Sequence, residues 1–302
     1  NINLSVKPGD FVAIVGNNGS GKSTLCKAFN GLIPKSIAGR FEGQIIIDGQ
    51  DIVDLTVGQV AKKVGYVYQD FENQIVRPKV LDDASYACLN YGMVDYLERG
   101  EKALKQVKLD DKKDENVWEL SGGQTHLLAL AGALSLSPDI LILDEPIAQL
   151  DPLRADIIYE ILKELNQKYK KTIVVIEHST EYIAQYCNRV ILMKDGQILW
   201  DEETKKALQM VDDLIDSDIF PPQVTRAAKK AMDKGDLKQG LLPINLHEGY
   251  EMFRFFSYKP KKRKLLKKNE NESIIAIKNV TMAYKTIHDE ANVIFSDLNL
   301  DI

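Results

Sequence analysis

Cysteine is scarce. Cys26, Cys88 and Cys187 are odd in number and widely spaced, which excludes a disulfide framework and a Cys-type zinc site. A reducing, cytosolic setting fits that usage. Long apolar runs are missing as well: no stretch approaches the roughly eighteen apolar residues of a membrane-spanning helix. The first residues lack the charged-then-apolar pattern of an export signal. Any membrane connection is therefore expected to come through a partner. A basic excess is also lacking, since 39 Lys and Arg face 44 Asp and Glu for a net charge of -5 and a pI near 5.6. Such a balance argues against a surface devoted to nucleic acid, although local basic patches remain open. What is present is enough apolar material, 44% of 302 residues, to bury a full core in one large domain or two of ordinary size.

Short apolar runs recur along the chain at Asp10 to Val15, Gln44 to Ile47, Val64 to Tyr68, Ile140 to Leu143, Thr172 to Ile176 and Arg189 to Met193. Longer helical patterns such as Leu153 to Tyr169 lie between several of them, which predicts an α/β core with a mainly parallel sheet. Asp195-Gly196 between two apolar runs predicts an antiparallel hairpin after that core. The segment from about Asp70 to Glu119 lacks strand runs and reads as a mostly helical insertion. From 213 to 272 the character changes to a connector with some local structure, ending in the basic run Lys259 to Lys268. A solvated linker is the plain reading of that run, with anionic lipid headgroups and nucleic acid as alternatives. Residues 296–302 resemble residues 1–6, with Asn-Leu at the same place in each, so we expect a repeat. On that expectation 1–212 is a first domain without its opening strand, 273–302 begins a second copy, and the chain is a piece of a tandem protein.

Three motifs carry chemistry. Gly16-Asn17-Asn18-Gly19-Ser20-Gly21-Lys22-Ser23-Thr24 follows a strand and opens a helix, the setting of a phosphate-cradling P-loop. Its glycines let successive N–H groups and the helix N-terminus face negative charge. Lys22 is then expected on the β- and γ-phosphates of a nucleotide, and Ser23 on Mg2+. Ile140 to Pro146 is a buried strand delivering Asp144 and Glu145 at its C-terminal end, where ligands sit in open α/β sheets. Asp144 suits the magnesium shell and Glu145 suits polarisation of the attacking water, and alternation along a strand would point them to opposite sides. Third, Leu120-Ser121-Gly122-Gly123-Gln124 precedes an apolar helical segment.

Ser-Gly-Gly-Gln about twenty residues before such a strand, far downstream of a P-loop, resembles the signature of ATP-binding cassette (ABC) ATPases. The resemblance covers Asn1 to about Asp212. It implies a P-loop NTPase fold with a helical signature subdomain, and that Ser121 to Gln124 face the γ-phosphate bound by a second cassette in a head-to-tail ATP sandwich. It also implies that Gln69 senses magnesium and water and touches the transport partner, that Asp151 lies in the loop communicating between sites, and that His178 is the γ-phosphate switch. Tyr284 resembles the aromatic that stacks on adenine at the start of a cassette. Around Gln69, Tyr68 to Val76 resembles the F-Q-N-P-D-x-Q pattern of energy-coupling factor (ECF) transporter ATPases, with Asp70 for asparagine and Phe71 for proline. Thr125-His126-Leu127 is a second departure, and His126 reads as an ordinary helix position. The implied protein is an ATPase on the cytoplasmic face of a membrane, bound to a transmembrane subunit and a substrate-binding membrane component, powering uptake of a vitamin or metal ion. No nucleic acid partner is expected. The alternative is a soluble tandem ABC protein acting on the ribosome or RNA, whereas the coiled coils of DNA-repair types are missing between Lys22 and Ser121.

Overall fold

A computed structural model describes residues 2–37, 39–148, 150–256, 275–285 and 291–301, with the side chains of Tyr284, Lys285, Ala291 and Asn292 excepted. The basic run 259–268 lies outside them. The chain divides into two compact units, up to Phe255 and from Phe256 onward.

The first unit is built on a six-stranded sheet. Its strands are β1 (Phe11–Val15), β2 (Val64–Val67), β3 (Ile140–Asp144), β4 (Thr172–Ile176), β5 (Arg189–Lys194) and β6 (Gln197–Glu203), in the spatial order β2-β3-β4-β1-β5-β6. The first five are parallel and β6 is antiparallel to β5. The parallel strands are largely apolar runs because both faces are buried. Alternation sends Phe11, Ala13 and Val15 into one cluster and Val12 and Ile14 into the other, and β3, β4 and β5 divide their residues the same way. Asp195 and Gly196, at φ 51° and 73°, make the tight β5–β6 turn that the Asp-Gly pair predicts.

Helices cover both faces. α1 (Lys22–Phe29) follows β1, and a helical block between β2 and β3 contains α2 (Val80–Asn90), α3 (Tyr96–Gln106) and α4 (Gly122–Ser135). α5 (Pro152–Gln167) starts where Asp151 accepts the Arg154 N–H and Pro occupies the first turn, and it buries Ala155, Ile158, Tyr159, Leu162 and Leu165 along one stripe. α6 (Thr180–Tyr186) follows β4.

Two expectations meet a different arrangement. The run Gln44 to Ile47 adds nothing to the main sheet: Ile46–Ile47 pairs locally with Gln50–Asp51 across Asp48 and Gly49, both at positive φ. The stretch after 212 is helical and packed through Phe253, as α7 (Val211–Ile215), α8 (Gln223–Asp233) and α9 (Leu246–Phe253). Leu214, Ile219 and Ile244 join the same buried cluster as β1, and Ala228 is buried on α8. The cause is the stripe Thr225, Ala228, Ala231, Met232 on α8, whose helical spacing the polar composition hides.

The second unit is an antiparallel pair, β7 (Ala276–Lys285) with β8 (Ala291–Asp301), in which Leu298 faces Val280 and Leu300 faces Ile277. Among the described residues, no helix is long and apolar enough to cross a membrane.

Candidate functional site

The C-terminal ends of β1 to β4 converge on one edge of the sheet. After β1 the chain turns at Gly16 (φ 147°), where a Cβ would stand 2.1 Å from the Met193 carbonyl oxygen of β5. Only a glycine passes that close to a neighbouring backbone. The Lys22 side chain, 6% exposed, folds back so that Nζ donates to the carbonyls of Gly16 (2.8 Å) and Asn17 (3.0 Å). Burial lowers its pKa, and the charges of Glu145 and Asp144 oppose that shift. Asn17 Oδ1 and Ser20 Oγ are buried without a partner. A loop with a desolvated cation and unspent polar atoms is suited to an oxyanion guest. Asn18, Gly19 and Thr24 are exposed and Ser23 is half-buried on the first turn of α1.

β3 carries Asp144, 6% exposed, whose Oδ2 accepts the Tyr66 hydroxyl at 3.2 Å from β2. Its Oδ1 is buried and unpartnered. That oxygen is hard and anionic, the kind of ligand that magnesium takes. Burial first, and then the Asp144 charge, push the Tyr66 hydroxyl far above its usual pKa. Glu145 departs from the expected strand alternation. β3 ends at Asp144, and Glu145 sits at φ 53° with its N–H bonded to the Ile176 carbonyl, so a left-handed residue aims its side chain. Its Oε2 accepts from Gln69 Nε2 at 2.9 Å and its Oε1 lies 3.2 Å from His178 Nε2. Three residues far apart in sequence thus meet in one cluster.

Gln74 holds the loop bearing Gln69, accepting the Tyr68 N–H at 2.8 Å and donating to the Tyr66 carbonyl at 3.2 Å. Beside this loop lies a cleft of about 280 Å³ whose lining includes Tyr66, Tyr68, Gln74, Val76, Asp83 and Tyr86.

Ser121 to Gln124 are not part of this cluster. Gln124 Oε1 accepts the Ser121 N–H at 2.8 Å, which closes the start of α4. Gly122 is open to solvent, with nothing within 4 Å of a notional Cβ, whereas Gly123 lies against Arg154 on α5. Asp151 caps α5 through the Arg154 N–H at 3.1 Å. Tyr284 lies on β7, but its side chain is outside the described residues.

Two features escaped the sequence reading. Glu177 is a buried carboxylate directly before His178. His126 is 2% exposed and stacks on Phe71, with ring centroids 4.4 Å apart and planes 11° from parallel. The two departures from the ECF pattern therefore pack against each other, joining the Gln69 loop to α4. Burial holds the His126 pKa down at about 4. The unfolded chain takes up that proton near pH 6.5 and the folded chain only near 4, so folding stability falls as pH drops across this window. The loss is about 3 kcal/mol. We expect His126→Leu to remove this share of the acid sensitivity, measured by denaturant unfolding at pH 7.5 and 5. An unchanged difference between those pH values would show that His126 is not its source.

The sheet order, the P-loop and the strand-end carboxylates define a nucleoside-triphosphatase of the P-loop class. The family model described as ABC transporter matches residues 1–148. The energy-coupling factor transporter ATP-binding protein EcfA2 of Clostridium tetani is 37% identical over 241 residues, 78% of this chain and 82% of the relative. A putative ABC transporter ATP-binding protein of Caldanaerobacter subterraneus is 33% identical over 255 residues, 84% of this chain but 44% of its own length. The solved structure of cbiO1 from Clostridium perfringens, described as part of the ABC transporter complex cbiONQ, superposes with a TM-score of 0.64 at 29% identity, covering 78% of this chain and 90% of that one. The chain belongs to the ABC transporter ATPase family, and it is an ATP-hydrolysing cassette.

Proposed function

We propose that the chain is the ATPase subunit of an ECF-type uptake transporter for a vitamin or metal ion. The observation that carries the site is the meeting of Gln69, Glu145 and His178 in one cluster, while Ser121 to Gln124 close on themselves at the start of α4. The loop of this domain then supplies one half of an ATP site and the signature supplies half of another. A second cassette completes both, and the resemblance of 296–302 to 1–6, together with a relative of which the match covers only 44%, supports its lying on the same polypeptide.

Lys22 and the backbone of Gly16 to Thr24 hold the phosphates of ATP. Magnesium, when held by Ser23, Asp144 and Gln69, neutralises phosphate charge. Glu145 orients the attacking water and accepts its proton, with Gln69 and His178 fixing the carboxylate from its two oxygens. On this reading His178 would also donate to the γ-phosphate, and Ser121 and Gly123 of the opposing cassette would stabilise the same charge. The cleft beside Gln69 suits a segment of the transmembrane subunit, and on this reading the protein works at the cytoplasmic face of the membrane through its partners. Tyr284 is assigned to the adenine of the second cassette.

The full-length chain, tagged and purified from detergent-solubilised membranes, is expected to bring integral membrane subunits with it, and Lys22→Ala is expected to abolish solute uptake by that complex. Recovery with ribosomal RNA and no membrane protein would overturn the assignment in favour of a translation-type tandem cassette.

A further inference from the structure

Glu177 lies one residue past the end of β4 and is 4% exposed. Its Oε1 accepts the N–H groups of both His178 and Ser179, each at 2.8 Å. Its Oε2 accepts the hydroxyl of Tyr159, also at 2.8 Å. Three donors converge on a group that has nothing to donate to, so the pocket is made for the ionised carboxylate. Burial pushes its pKa up, and these same hydrogen bonds and the neighbouring His178 work against that shift.

Tyr159 is itself immobilised. Its ring stacks on Tyr182 with centroids 4.7 Å apart and on Phe11 of β1 at 6.4 Å. Tyr182 in turn donates to Asp156 Oδ1 at 2.8 Å and reaches the Pro152 carbonyl at 3.3 Å, on the first turn of α5 directly after Asp151. The carboxylate is therefore tied to β1 and to the start of α5 before it touches the site.

His178 needs such a support. Its side chain is 38% exposed and meets Glu145 at 3.2 Å from a position outside any regular element. The two hydrogen bonds from Glu177 restrain the backbone of His178 and of Ser179, the residue that opens α6. A swing there would move the imidazole by more than the tolerance of a catalytic contact.

We propose that Glu177 is a positioning residue of ATP hydrolysis, a buried carboxylate that fixes the backbone at His178 so that Nε2 reaches Glu145, with Tyr159 holding the carboxylate in place. This rests on the role given to His178 above.

The test is steady-state ATP turnover, ATP affinity and thermal unfolding of the full-length chain carrying His178→Ala, Glu177→Ala, both together, Glu177→Gln or Tyr159→Phe. Glu177→Ala is expected to lower kcat roughly 10- to 100-fold. Its KM for ATP should stay within about threefold, because the phosphate loop is untouched. Adding His178→Ala to that variant should cost less than about a further twofold, since the imidazole has already lost its place. Glu177→Gln should recover most of the turnover, because its amide oxygen accepts the two N–H groups and its NH2 faces the Tyr159 oxygen. Losses from Glu177→Ala and His178→Ala that simply multiply would overturn the proposal while leaving the role of His178 intact. Full turnover by His178→Ala would remove that role, and the proposal with it. Should Glu177→Ala fail to fold, Glu177→Gln and Tyr159→Phe decide. A Glu177→Gln protein as stable as the parent but tenfold or more slower would overturn positioning by hydrogen-bond geometry. Retained turnover, with a loss of about two- to tenfold in Tyr159→Phe, would support it.

Discussion

Replacing Glu145 with Gln is expected to lower ATP turnover at this site by about a hundredfold or more, the scale of a lost general base, while ATP affinity stays within about threefold. The substitution keeps the shape of the side chain. Its amide can still bond Gln69 and His178, which stand 2.9 and 3.2 Å from the carboxylate oxygens. What disappears is the capacity to take a proton from water. On the proposed reading, phosphate binding falls to Lys22 and the backbone of its loop, so the substitution should leave it in place. The variant should therefore load ATP, hold two cassettes together and fail to reopen them. The measurement pairs phosphate release with nucleotide binding on the complete protein. Turnover within about threefold of the parent would withdraw the role from Glu145.

Gly16→Ala should do its damage earlier, in the fold and in nucleotide binding together. The added carbon would stand 2.1 Å from the Met193 carbonyl oxygen, a main-chain atom of a strand in the middle of the sheet. Backbone at φ 147° is also costly for any residue with a Cβ. Overpacking of this kind costs about 2–3 kcal/mol, which lowers the unfolding temperature by roughly 5–10 °C in a domain of this size. The shift would also displace the Gly16 carbonyl that holds Lys22 at 2.8 Å, so ATP affinity should fall about tenfold or more. Gly122→Ala is the control, because nothing lies within 4 Å of its Cβ and its backbone is helical. Its unfolding temperature should stay within about 1–2 °C of the parent, since an exposed substitution with no clash changes stability little. If Gly16→Ala unfolds with Gly122→Ala, the close approach to β5 is not what requires the glycine.

The phosphate loop, the strand-end carboxylates and the β5–β6 hairpin were legible in the letters because each depends on local backbone preference. Glycines at positive φ, apolar runs of strand length and an Asp-Gly pair act within a few residues. The helices beyond residue 212 were obscured by Pro, Gly and charge, although α8 carries a clear apolar stripe. Glu145 was assigned by position but not by direction, because its left-handed backbone follows from a hydrogen bond to the Ile176 carbonyl on the neighbouring strand. His126 looked like an ordinary helix position, since nothing near it in sequence reveals that Phe71 covers it.

By itself the sequence determined the class of chemistry and marked the candidate residues for it, because nucleotide loops and strand-end acids are spelled by contiguous residue types. Only the tertiary structure decided which of those residues meet. Gln69, Glu145 and His178 form one cluster because three parallel strands end side by side, and the Ser121 to Gln124 turn instead closes on itself at the start of α4, with Gly123 against Arg154 of α5. Glu177 became visible in the same way. A glutamate after a strand has no distinguishing sign until Tyr159 is seen to close on it beside the N–H groups of the next two residues, and Tyr159 is brought there by the packing of α5, which no local pattern encodes.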